Sequence, residues 1–211
     1  MAGCRVPGPT CAERSSGTAT PGNRHTTSGD ARPLGADPPA PVAGPTLTGW
    51  PRTIGWDEFQ ELPRRPVGVN EDAQISSELE QPPQVGVARE GGRFRLDSYE
   101  AVLSVKTSDS WVVASTKSAA LLTHEQGHYD ITGLVARDLI ADLRSLRAAT
   151  TAALEREVKG AIRRADTLAD SLTQRYDTDT DHGRTQPKQD KWNALLQAAM
   201  KNGTRLTGGP T

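Results

Sequence analysis

Two histidines stand four residues apart in the stretch Thr123-His124-Glu125-Gln126-Gly127-His128-Tyr129-Asp130. On a helix, residues at that spacing project from one face, one turn above each other. Both imidazoles can then reach a single zinc ion. Glu125, beside the first histidine, can approach a water held by that ion. Zinc lowers the pKa of such a water toward neutrality, and a carboxylate within hydrogen-bond reach takes its proton as it attacks a carbonyl. Residue types, spacing and helical context agree with the zinc-protease motif. The rival reading is a pair of surface histidines around an ordinary acidic residue. Leu121, Leu122 and Ile131 argue against it, because they place this part of the helix in the core. Two imidazoles and a carboxylate buried there without a metal would be costly.

A catalytic zinc site needs a third protein ligand and an open fourth position. The metzincin extension fails, since Ile131 and Leu134 stand where it requires Gly and His. A ligand from the next helix would be Glu155 or Glu157, but both sit among charged residues and read as solvated. The third source is Arg175-Tyr-Asp-Thr-Asp-Thr-Asp-His-Gly-Arg-Thr-Gln186, read as a loop that folds back over the first helix. It makes His182 the expected third zinc ligand. Asp177 or Asp179 could ligate instead, or orient a ligand histidine. Asp130 is a further candidate for holding a ligand imidazole, or for capping a loop. Tyr176 is the candidate hydroxyl donor to the oxyanion formed on attack, while Tyr129 is expected to point off the metal face.

The elements that must position these groups follow from hydrophobic period. From Ser118, with Ser118 or Thr116 as cap, the residues Leu121, Leu122, Ile131, Leu134, Val135, Leu139, Leu143 and Leu146 keep helical spacing. A second helix is predicted over about 151–174 and a third over about 188–200. Upstream, residues 67–114 read as a small antiparallel sheet or meander, with Glu90-Gly91-Gly92 as a turn. Residues 47–66 read as a strand or extended segment with a short turn, because Pro63 and Pro66 stop any helix beginning at Asp57. The segment 99–106 is the candidate sheet edge along which a peptide would bind as an added strand. Strands first and helices second predict an α+β fold of zincin-like form.

Only 35% of the 211 residues are hydrophobic and 4% aromatic, and the deficit is concentrated at the start. Residues 1–45, rich in Pro, Gly, Ser and Thr, are expected to form a disordered tail. The folded domain is placed at 46–202, with 203–211 frayed. Cys4 and Cys11 fall in the tail and read as incidental thiols, and His25 has no role there. The 25 basic and 26 acidic side chains are interspersed, with no basic stripe for a phosphate backbone, so nucleic acid is not the expected partner. No apolar run is long enough to span a bilayer. The N-terminal stretch also lacks a signal-peptide core, so a cytoplasmic location is the default expectation.

Four stretches resemble the DUF922 family of bacterial proteins, described as predicted secreted zinc-dependent proteases. They are GWDEF at 55–59, SWV at 110–112, LLTHEQGHYDIT at 121–132 and YDTDTDHGRTQPKQDKW at 176–192. The late segment keeps the family's pattern as Tyr176-Asp177, Thr180, His182-Gly183, Gln189 and Trp192. The resemblance implies a role for His182 at the metal, structural roles for Trp111 and Trp192, and secretion. The sequence thus predicts a zinc-dependent metallopeptidase acting on a peptide or protein, with His124, His128 and His182 holding zinc and Glu125 as general base. Its rival is a non-catalytic zinc-binding interaction domain, closed by a fourth protein ligand such as Asp177 or Asp179. Hydrolysis of a non-peptide amide or ester is a third reading. The oligomeric state is left open.

Overall fold

The structure, a computed structural model, describes residues 44–210. Cys4, Cys11, His25 and nearly all of the expected tail lie outside the described residues. Within them the fold is α+β, with seven strands followed by three helices.

The strands are β1 (Pro45–Thr48), β2 (Gln60–Leu62), β3 (Ala73–Gln74), β4 (Ser77–Glu80), β5 (Gly86–Glu90), β6 (Arg93–Val105) and β7 (Trp111–Val113). Strand β6 organises the larger sheet. Tyr99, Ala101 and Leu103 alternate inward and are essentially inaccessible, as the period of two requires. Strand β5 pairs with it as a hairpin through Gly91-Gly92, both at positive φ. Strand β4 runs antiparallel along its second half, and β1 runs parallel beside residues 99–102. In the smaller sheet β7 lies between β2, parallel, and β3, antiparallel.

The sheets are therefore mixed rather than the expected antiparallel meander. Both parallel partners, β1 and β2, come from chain upstream of residue 67 and return only after a long connection. The expected edge at 99–106 is also corrected. Residues 99–102 pair with β1 on one side and 102–105 with β4 on the other, so this stretch lies inside the sheet rather than at its edge. Its inward side chains Tyr99, Ala101 and Leu103 are buried, as a central strand requires.

Ser118 opens the first helix, its Oγ accepting from the Leu121 amide at 3.1 Å. Helix α1 (Ala119–Ser145) buries Ile131, Leu134, Val135, Leu139 and Leu143. Thr150 caps α2 (Thr151–Thr180) in the same way. The two helices form an antiparallel hairpin. Leu139, Ile140 and Leu143 meet Leu154, Val158 and Ile162 at one end, while Ile131, Leu134 and Val135 share a core with Leu172 and Tyr176 at the other. Helix α3 (Gln186–Asn202) adds Trp192, Leu196 and Ala199 to that second core.

Two boundaries differ from expectation. Helix α2 runs through the Tyr-Asp-Thr-Asp-Thr stretch to Thr180 instead of ending near 174. Tyr176 and Thr180, one turn apart, are both fully buried, and the Thr180 hydroxyl bonds back to the Tyr176 carbonyl at 2.7 Å. Tertiary burial there outweighs the weak helix propensity of Asp and Thr. The C-terminal segment is packed rather than frayed. Leu206 is 2% exposed, and Arg137 donates to the carbonyls of Ala199 and Thr204 at 3.0 and 2.8 Å. Among the described residues no helix is long and apolar enough to cross a membrane.

Candidate metal centre

The site forms where the first turns of α1 meet the last turns of α2. The His124 and His128 Nε2 atoms are 3.3 Å apart. Asp177, one residue beyond the buried Tyr176, places Oδ1 2.8 Å from His128 Nε2 and 3.2 Å from His124 Nε2. Among the described residues these three form the one group of His, Cys, Asp or Glu whose ligand atoms crowd closely enough to hold a metal ion. Burial disfavours charge on His124 and lowers its pKa. Burial opposes charge on His128 too, but the adjacent Asp177 carboxylate outweighs it and the pKa is raised. Asp177 is likewise partly desolvated, yet the two imidazoles hold its carboxyl well below the usual carboxylate range.

His182, expected as third ligand, sits just outside this triangle. Its Nδ1 is 3.6 Å from Asp177 Oδ1 and 3.5 Å from Glu71 Oε1. The extra turn of α2 brings Asp177 in first. The chain then reverses through Asp181, His182 and Gly183, all at positive φ. At Gly183 a side chain would have no room, since a Cβ would stand 2.9 Å from His124 Cβ. Asp179 is turned away, accepting from Trp192 Nε1 at 3.0 Å and facing Arg175. Two residues along a helix is more than half a turn, so Asp177 and Asp179 cannot serve one ion.

Glu125 is 2% exposed and lines the cleft in front of the triangle. Its Oε2 accepts from the Ile75 amide at 2.9 Å, which ties α1 to the segment after β3. Burial pushes its pKa up to about 7. The cleft has a volume of about 760 Å³, walled on one side by residues 68–77 and on the other by α2. Among the described residues, Glu71, Asp72 and Asp170 line it and no Lys or Arg does.

Tyr176 does not face this cleft as an oxyanion donor. It is fully buried, stacked on the His124 ring with centroids 4.7 Å apart and planes 14° from parallel. Its hydroxyl donates to the His124 carbonyl at 3.1 Å. Asp130 is not beside a ligand histidine either. It accepts from Trp50 Nε1 and from Gln126 Nε2, each at 3.1 Å. That far face of α1 clamps the chain before β2. Gln126 also bonds the Arg52 carbonyl and the Ile54 amide, and the buried Tyr129 hydroxyl donates to the Gly49 carbonyl at 2.7 Å. Tyr129 thus points off the metal face, as expected. Gly133 lets Trp50 close in, for a Cβ there would fall 2.3 Å from its indole. Sequence reasoning missed Gln126 as a clamping residue of this helix, and Arg52 and Trp50 as its partners. The one available signal was a tryptophan-rich segment and two glycines inside a helical pattern, where close approach is their usual reason.

Gln189 of α3 was assigned no role from sequence, yet it is 2% exposed and places Oε1 3.2 Å from His124 Nδ1. Trp192 is fully buried against Tyr176, and Trp111 donates to Gln74 at 3.2 Å.

Fold and site together define an α+β protein whose helix hairpin carries a two-histidine, one-carboxylate group beside a buried glutamate. Residues 94–183 match the family described as bacterial protein of unknown function (DUF922). The span contains His124, Glu125, His128, Asp177 and His182, and stops short of Gln189. No curated protein and no solved structure matches the chain.

Proposed function

We propose that this protein is a zinc-dependent metallopeptidase with a zincin-like site, in which His124, His128 and Asp177 hold the ion. The observation that carries the reading is the position of Glu125, buried beside the ligand triangle and open to the cleft. The donor set fits zinc, since ligands at 2.0–2.2 Å in a tetrahedron lie about 3.3 Å from one another and the three separations are 3.3, 3.2 and 2.8 Å. When bound, zinc supplies Lewis acidity and brings a coordinated water toward neutral pKa. Glu125 Oε2 accepts from the Ile75 amide, which would leave Oε1 to take a proton from a water in the cleft. Glu125 would then return that proton to the leaving amine. An extended peptide would lie across the site in the cleft between residues 68–77 and α2.

A second reading rests on His182. With Nδ1 3.6 Å from Asp177 Oδ1, a small rotation would make it a fourth protein ligand. That would close the site and make the protein a zinc-stapled interaction domain.

The test is metal content by mass spectrometry on wild type and Glu125→Gln, with hydrolysis of casein as the activity. About one equivalent of zinc in both, with cleavage by wild type alone, is expected. No zinc in either overturns the reading, and zinc in both without cleavage favours the closed site.

A further inference from the structure

We infer that Gln189 is a positioning residue that fixes the tautomer of His124, an assignment whose purpose rests on the metal reading above. The argument is a count of protons. The His124 carbonyl can only accept, so the Tyr176 hydroxyl, 3.1 Å away, must donate to it. That hydroxyl then offers only a lone pair to Gln189, so the Gln189 atom 2.5 Å from it is the NH₂ group. The second amide proton goes to Asn193 Oδ1 at 2.8 Å. Gln189 Oε1 is left facing His124 Nδ1 at 3.2 Å and must accept from it. His124 therefore carries its proton on Nδ1 and presents a bare lone pair at Nε2.

The consequence lies on the other side of the ring. A bare His124 Nε2 stands 3.2 Å from the Asp177 oxygen and 3.3 Å from His128 Nε2. Neither the His124 nitrogen nor the carboxylate then has a proton of its own to give, so only His128 can donate within the triangle. A cation placed among the three atoms satisfies all of them. Gln189 thus prepares the ligand before metal arrives, through groups that never touch the ion. Second-sphere partners of this kind are worth about 10–100-fold in metal affinity when lost.

The test reads the tautomer directly. In metal-free, full-length protein at pH 8, long-range ¹H–¹⁵N correlation of the imidazoles should show His124 protonated at Nδ1. Gln189→Met should lose that preference and bind zinc about 10–100-fold more weakly. Tyr176→Phe, a smaller change that keeps the packing, should also weaken the preference by releasing the amide. A His124 protonated at Nε2 in wild type would overturn the inference, as would an unchanged tautomer in Gln189→Met or, if that variant does not fold, in Tyr176→Phe. An Nδ1 proton in a protein that takes up no zinc would sink the metal reading alone.

Discussion

A Cβ added to Gly127 would stand 2.1 Å from the Tyr176 hydroxyl oxygen. The glycine between the two histidines is therefore the socket into which α2 places its tyrosine. Gly127→Ala gains about 1 kcal/mol of intrinsic helix propensity. It also forces a buried ring away from His124, and overpacking of this kind costs about 1–3 kcal/mol. The expected result is a net loss of stability in urea unfolding, accompanied by weaker zinc binding.

Zinc should stabilise the folded chain and a chelator should reverse it. At a free concentration 100 times Kd the gain is about 2.7 kcal/mol, read as a rise in Tm. His128 must be deprotonated to ligate, and the Asp177 carboxylate raises its pKa above the usual 6.5. Affinity is then full at alkaline pH and lost as pH falls through that raised value. Calorimetric titration at several pH values checks this, and an affinity flat down to pH 6 would contradict it.

Arg52 donates to both carboxylate oxygens of Glu58, and the pair helps hold the segment clamped on the far face of α1. The Arg52 guanidinium holds the Glu58 pKa below its ordinary 4.5. A depressed acid contributes stability above its unfolded value and loses it as pH falls through the folded one. Glu58→Gln should be less stable than wild type at pH 7, with the gap closing below about pH 4. Parallel denaturation curves across that range measure it.

Leu206 is 2% exposed against the core that holds Trp192 and Tyr176. Leu206→Ala should cost about 2 kcal/mol, the low end for a buried leucine, because a segment near the chain end can relax into the gap. A change within error would mean that residues 203–210 contribute nothing to the fold.

Helix α1 was legible because its apolar period is long and Ser118 is a clear cap. The same period placed His124, Glu125 and His128 on one face without any tertiary knowledge. Asp177 was underweighted for a local reason: Asp-Thr-Asp-Thr reads as loop, and only the burial of Tyr176 and Thr180 keeps it helical. His182 was favoured because a loop can be imagined reaching anywhere, whereas a helix end has one direction. The parallel partners of β6 and β7 were illegible because period reports which side chains face inward, not which distant strand lies alongside. The far face of α1 was assigned no partner beyond a ligand histidine or a loop cap for Asp130. Its partners, Trp50 and Arg52, stand 70 or more residues away, and no spacing rule links them to it.

His124 and His128 are neighbours in the chain, but the atoms that complete their surroundings are not. His128 meets Asp177 across 49 positions, and His124 meets Gln189 across 65. A ribosome that has released only α1 holds a chain with both histidines but neither Asp177 nor Gln189. On the proposed metal reading, the ligand set is complete only once α2 has emerged, and the support behind His124 only once α3 has docked.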